Sequence, residues 1–171
     1  MNLASLIRSR RSIRAFTGDP VPESLLRQLV ELATWAPSAG NLQARDFVVV
    51  RDDGTRRALA RAADQVELEQ AAAVLVVCTN VRRIGKYGAR GRELFAVQDA
   101  AAATQNFLLA AHDSGLGAVW MGSFDEEQVR KILRIPGHAR PVALVAIGWP
   151  AETPEPPKRL PLTEVLHWER W

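Results

Sequence analysis

The stretch Glu93-Leu-Phe-Ala-Val-Gln-Asp-Ala-Ala-Ala-Ala-Thr-Gln-Asn-Phe-Leu-Leu-Ala-Ala-His-Asp-Ser114 reads as a long helix, and Gly115 stops it. The short apolar run Gly117 to Met121 follows at once and reads as a strand. Ala100 to Ala103 keep the helix slim enough for another element to approach closely, either in the core or at a seam between two copies of the chain. Working outward, Ala73 to Thr79 is rich in β-branched residues and predicts a strand, as do Phe47-Val-Val-Val50 and Pro141 to Trp149. Helical spacing marks Met1 to Ser9, and a second helix opened by Pro22 and closed by Pro37, with Leu25, Leu26, Leu29, Val30 and Ala33 on one face. Further helices are expected from a cap at Asp53 to about Ala63 and over Asp125 to Leu133, with a turn or two between Val66 and Ala71. Alternating helices with only four strands give an α+β or α/β class, too few strands for a large doubly wound sheet.

Composition narrows the function classes. A chain of 171 residues, 47% hydrophobic and 24% charged, suits one soluble domain spanning 1–171 with a full core. Its longest apolar stretches, such as Ala71 to Cys78, are far too short to span a bilayer. The start of the chain lacks a basic region ahead of an apolar core, so the expected compartment is the cytoplasm. Cys78 is the only cysteine and sits in an apolar run, where a buried inert thiol is expected. Three scattered histidines offer no metal-ligand spacing. The net charge of +3 is spread among interleaved acids, with two exceptions. Residues 1–18 carry Arg8, Arg10, Arg11 and Arg14 with no acid, and residues 81–92 carry Arg82, Arg83, Lys86, Arg90 and Arg92 with none. Local clusters of this size suit a small anion better than nucleic acid, and no stacking stripe or nucleic-acid motif accompanies them. Beyond Trp149, five prolines among residues 150–161 predict an extended C-terminal arm, 150–171, ending in His167-Trp-Glu-Arg-Trp171.

Two segments carry chemistry. In Ser9-Arg-Arg-Ser-Ile-Arg-Ala-Phe16, guanidinium forks and a hydroxyl cluster directly after a helix. In extended backbone Arg10, Ser12 and Arg14 point to one side, so the segment is either a solvated basic turn or a phosphate cradle. Ala36-Pro-Ser-Ala-Gly-Asn-Leu-Gln43 is a loop by composition, and the amides of Asn41 and Gln43 suit the edge of a heterocycle or merely cap a connection. Trp120 and Trp149 are expected in the core. Asp99 is either a buried partner for an arginine or a surface carboxylate, and Tyr87 either flanks a substrate or lies in a solvated loop.

In this order and spacing, the two segments resemble the FMN-dependent nitroreductase family. The resemblance continues through Gln98 to Gly117, Trp120-Met-Gly-Ser-Phe124, Ile147-Gly-Trp-Pro150 and Lys158-Arg-Leu-Pro-Leu-Thr-Glu-Val-Leu166, and so covers nearly the whole chain. It implies an α+β fold with a central, mostly antiparallel sheet flanked by helices, in an intertwined homodimer with FMN at the interface. Arg10, Arg11 and Ser12 match positions that hold the phosphate and ribityl chain. Arg14 matches a cationic position at the N1/O2 edge of the flavin, an electrostatic stabiliser with no residue required as general acid or base. Pro37, Ser38, Asn41 and Gln43 match the loop brought by the second subunit. Met121 and Gly122 match backbone near flavin N5, and Arg159, with Lys158 beside it, matches a late phosphate clamp. The implied activity is reduction of a small electron-poor acceptor, a nitroaromatic, quinone or similar, by NAD(P)H in a ping-pong cycle. A Gly-x-Gly-x-x-Gly turn after a strand is absent, consistent with one flavin face serving both substrates. The same resemblance admits flavin-degrading and dehalogenating relatives, and the residues alone also admit a flavin-binding module with little turnover.

Overall fold

In the computed structural model, which describes residues 2–171, four strands form one sheet in the order β1-β2-β4-β3. These are β1 (Arg45–Val50), β2 (Ala73–Asn80), β3 (Gly117–Met121) and β4 (Ala139–Gly148). All three pairings are antiparallel. The helices are α1 (Leu3–Ser9), α2 (Glu23–Thr34), α3 (Asp53–Ala63), α4 (Glu67–Gln70), α5 (Gly88–Arg90), α6 (Ala96–Asp113), α7 (Glu126–Leu133) and α8 (Leu162–Val165). The fold is α+β, as the resemblance implied.

Both faces of the sheet are covered, which explains why β2 is buried along its whole length and apolar from Ala73 to Cys78 instead of alternating. Leu75 and Val77 face α2 and α6, packing with Leu29, Phe107, Val145 and Ile147. Val74, Val76 and Cys78 face α3, α4 and α7, packing with Leu59, Leu68, Val129 and Leu144. Each large aliphatic side chain so buried contributes about 1.5–3 kcal/mol. Burial also pushes the Cys78 thiol up to about 12, so the thiolate is suppressed at neutral pH.

Several local expectations shift. Asp52, not Asp53, caps α3, accepting from the Thr55 backbone N–H at 2.7 Å. β1 begins two residues early, at Arg45, because that arginine is itself buried. The basic stretch is helical, with a 3-10 turn at Gly85–Tyr87, then α5, then a π-type turn at Gly91–Phe95 running into α6. Trp120 is 40% exposed rather than in the core, because it lies on the edge strand β3. Trp149 is half-buried, its indole N–H donating to the Pro20 carbonyl at 3.3 Å. The C-terminal stretch is mostly extended but carries the single helical turn α8. Among the described residues, no helix is long and apolar enough to cross a membrane.

Candidate functional site

The backbone turns extended at Arg10, immediately after α1. The segment then lies along the sheet edge, where Ser12 bridges Ala118 and the Ile13 N–H donates to the Ala118 carbonyl at 3.1 Å. Ile13 is buried and rests on Gly117, where a Cβ would fall 2.7 Å from the isoleucine Cγ2. Further on, Phe16 bridges Pro150, and the Ala151 N–H donates to the Ala15 carbonyl at 2.9 Å. One carboxylate oxygen of Glu152 accepts the backbone N–H groups of both Arg14 and Ala15. With Ile13 turned inward, Arg10, Ser12 and Arg14 line one cleft of about 390 Å³, as strand alternation predicted. Arg11 and Arg159 line it too, with Pro154, Glu155 and Pro157, whereas Lys158 is not part of its wall.

The electrostatics of this cleft are one-sided. Among the described residues, no carboxylate lies within ion-pair distance of Arg10, Arg11, Arg14 or Arg159. Arg11 spends one guanidinium nitrogen on the Arg8 and Arg10 carbonyls, at 2.7 and 2.9 Å. Burial, then the charges of Arg159 and Arg11, pull the Arg10 guanidinium below its usual range. His112, whose Nε2 lies 2.8 Å from the Ser9 hydroxyl, is pushed down by burial and by Arg10 and Arg11. Four guanidiniums against the single carboxylate of Glu155 in the same wall leave the cleft with a net positive charge, a donor set suited to a small polyanion. On the neighbouring strand, Met121 is buried and Gly122 exposed.

The second segment forms a loop between α2 and β1. Gly40, Asn41 and Gln43 all adopt left-handed φ, at 57°, 55° and 52°. Two non-glycine residues in that region are held only by external restraint. The restraint is visible. Ser38 Oγ accepts the Gln43 N–H at 3.0 Å, and Asp99 accepts the Ala39 and Ala44 N–H groups at 2.9 and 3.3 Å. From the other side Arg45 donates to the carbonyls of Thr34, Ala36 and Pro37 at 2.7, 2.9 and 3.4 Å. Arg83 donates to the Gln43 and Arg45 carbonyls at 3.1 and 2.7 Å. Asp99 is therefore a buried carboxylate spent mainly on backbone, and the nearby Arg45 guanidinium is lowered by burial and partly restored by Asp99. Asn41 and Gln43 remain exposed. Sequence reading missed Arg45, Arg83 and Glu152 as organising residues; the one available signal was a lone arginine at the head of an apolar strand.

These two segments lie apart within one chain. The cleft lies along β3 and the loop leads into β1, the opposite outer strand, so three interstrand spacings, about 14 Å, separate them. Along α6 the separation from Asp99 to His112 is about 20 Å. Among the described residues, no group of His, Cys, Asp and Glu could hold a metal ion.

Comparison with known proteins agrees with this architecture. The family model described as the nitroreductase family matches residues 7–80 and 63–149. A protein of Thermus thermophilus called NADH dehydrogenase is 40% identical, over 93% of this chain and 92% of its own length. Nitroreductase A of Vibrio parahaemolyticus superposes with a TM-score of 0.91 at 31% identity, covering 100% of this chain and 77% of that one. The NADPH:FMN oxidoreductase of Vibrio harveyi, solved with NAD+, gives 0.89 at 30% identity over 98% and 77%. A family model that spans most of the chain, joined to a fold that covers the whole of this chain, shows that the chain belongs to the nitroreductase family.

Proposed function

We propose that this oxidoreductase is a homodimer that binds FMN at two composite sites and uses NAD(P)H to reduce a small electron-poor acceptor. The observation that carries the reading is the cleft of Arg10, Arg11, Arg14 and Arg159, guanidiniums that outnumber its one carboxylate, Glu155, and that have no carboxylate within ion-pair distance among the described residues. A phosphate monoester fits that donor set, and Ser12 adds a hydroxyl for the adjoining chain. Arg10, Arg11, Ser12 and Arg159 therefore hold the phosphate and ribityl group. The Pro37–Gln43 loop of a second copy, with Ser38, Asn41 and Gln43, supplies amide and hydroxyl partners to the ring edge. The separation of the two half-sites within one chain supports a shared site.

When bound, FMN supplies the hydride and electron chemistry, which no side chain here provides. The protein's own contribution is electrostatic. Arg14, its backbone fixed by Glu152, would hold a permanent positive charge toward the bound flavin and so favour its reduction, and stabilisation of that kind needs no proton transfer. Met121 and Gly122, at the end of β3, would offer FMN backbone groups rather than a titrating acid. If donor and acceptor use the one flavin site in turn, initial-rate lines at several fixed acceptor concentrations should be parallel. The names borne by the relatives, a nitroreductase and an NADPH:FMN oxidoreductase, support this class of reaction.

The absorbance spectrum of the purified protein tests the reading. A yellow protein bleached by NADH or NADPH, and recoloured by a quinone or nitroaromatic, is expected. A yellow protein that neither nucleotide bleaches would make it a flavin-binding module, and a colourless protein that takes up no FMN would overturn the assignment.

A further inference from the structure

The second acid-free basic stretch, residues 81–92, is not used by the cleft, yet it folds directly over the other half-site. Lys86 Nζ and the Tyr87 hydroxyl lie 2.7 and 2.6 Å from where a Cβ of Gly40 would stand. Gly40 has a left-handed φ of 57°, and the ends of Lys86 and Tyr87 crowd its Cα. Arg83 is committed to Asp46 at 2.7 Å, but Lys86 and Arg90 have no carboxylate or hydrogen-bond partner among the described residues. Each instead sits over an aromatic ring, Lys86 Nζ 5.0 Å from the Tyr87 centroid and the Arg90 guanidinium 5.5 Å from that of Phe95. The two rings meet edge to face at 5.3 Å and form the wall of a shallow cleft of about 410 Å³, which also includes Ser38 and Gln98.

Two uncommitted cations and a donor hydroxyl, carried on an aromatic wall, match a nucleotide: a phosphate for the cations and a flat base or ring for the wall. We infer that Lys86, Tyr87 and Arg90 form a phosphate-recognising subsite for the nicotinamide nucleotide, beside the Gly40–Asn41 turn and distinct from the Arg10 cleft. This rests on the proposed use of NAD(P)H and adds the residues that select a phosphorylated donor. The acceptor needs no charge to react, so the subsite governs donor binding rather than turnover. Its place at the Asn41 half-site puts the donor's phosphates on the copy opposite to the one that holds the cofactor phosphate.

The test compares hydride donors with and without phosphate, using FMN-loaded protein and an uncharged quinone as acceptor. Lys86→Ala with Arg90→Ala should raise KM for NADH and NADPH about tenfold or more, the scale of a lost charge-assisted hydrogen bond. The KM for N-benzyl dihydronicotinamide, which carries no phosphate, should stay within about twofold, and kcat with either donor should hold. Lys86→Glu should weaken the nucleotides further still. An equal rise in KM for both kinds of donor would mean that the loop had merely shifted, and unchanged nucleotide KM values would remove the subsite; either overturns the inference. Wild-type protein that oxidises the uncharged donor but neither nucleotide would overturn the functional reading itself, and this subsite with it.

Discussion

Arg10 is held where burial and two like charges all work against its guanidinium, so its charge is costly until an anion arrives. Arg10→Ala should therefore weaken FMN by about 1.5–3 kcal/mol while affecting riboflavin, which lacks the phosphate, far less. Titration of both ligands checks this, and equal losses would reassign the residue. Asp99 works by position. Its two oxygens accept two N–H groups of a loop that is left-handed at three residues, and an amide in place of this carboxylate would offer one oxygen and one donor instead. Asp99→Asn should cost about 1–3 kcal/mol in urea unfolding and lower flavin affinity in parallel. A variant as stable as the parent, with full affinity, would show that the loop holds its own shape. At this scale the sequence was legible where chemistry is local. Pro37, Gly40 and Asn41 announce a loop by their own backbone preferences, and the arginine cluster announces an anion by density alone. The sequence left the burial of Asp99 open and gave only a faint sign of Arg45, because whether a charged residue is buried depends on partners that only the fold brings together.

The extended segment from Ser12 to Phe16 is the element that turns a list of basic residues into a cleft. Its alternation was readable from spacing, but its docking against β3 and the stretch after β4 was not, since single bridges leave no hydrophobic period. The same limit explains the early start of β1 at Arg45 and the helical turns over 85–95, where charge and glycine mask the regular structure. Packing at Gly117 sets the depth of the segment. Gly117→Ala would press a methyl group to 2.7 Å from Ile13, a contact that cannot persist without displacing the neighbouring Ser12 and Arg14. The expected outcome is a loss of about 1–3 kcal/mol by overpacking and a fall in FMN occupancy. Thermal unfolding with and without added FMN separates the two effects. Unchanged occupancy in a destabilised protein would show that the cleft does not depend on this contact.

At the scale of the whole molecule, the four strands and the apolar helix faces followed from pattern, whereas the state of assembly depends on surfaces that hydropathy cannot rank. Trp168 and Trp171 are 77% and 102% exposed at the end of a proline-rich stretch, and Leu160, Leu162 and Val165 beside them are exposed as well. Trp35, Leu32 and Val49 are also exposed, around α2 and the outer strand β1, where a groove of about 630 Å³ lies between helix and sheet. Apolar surface on this scale in a chain of 171 residues calls for a partner. The proposed homodimer would answer both this and the separation of the two segments, because a second copy would set its Asn41 loop where one chain cannot. Burying each terminal tryptophan would contribute about 1.5–3 kcal/mol, a substantial share of a typical stability of about 5–15 kcal/mol. Removal of residues 163–171 should therefore lower dimer affinity and flavin occupancy together. Sedimentation of the truncated protein beside its flavin absorbance measures both. A truncated chain that stays dimeric and fully yellow would make the tail dispensable, and a yellow, active monomer would refute the shared site.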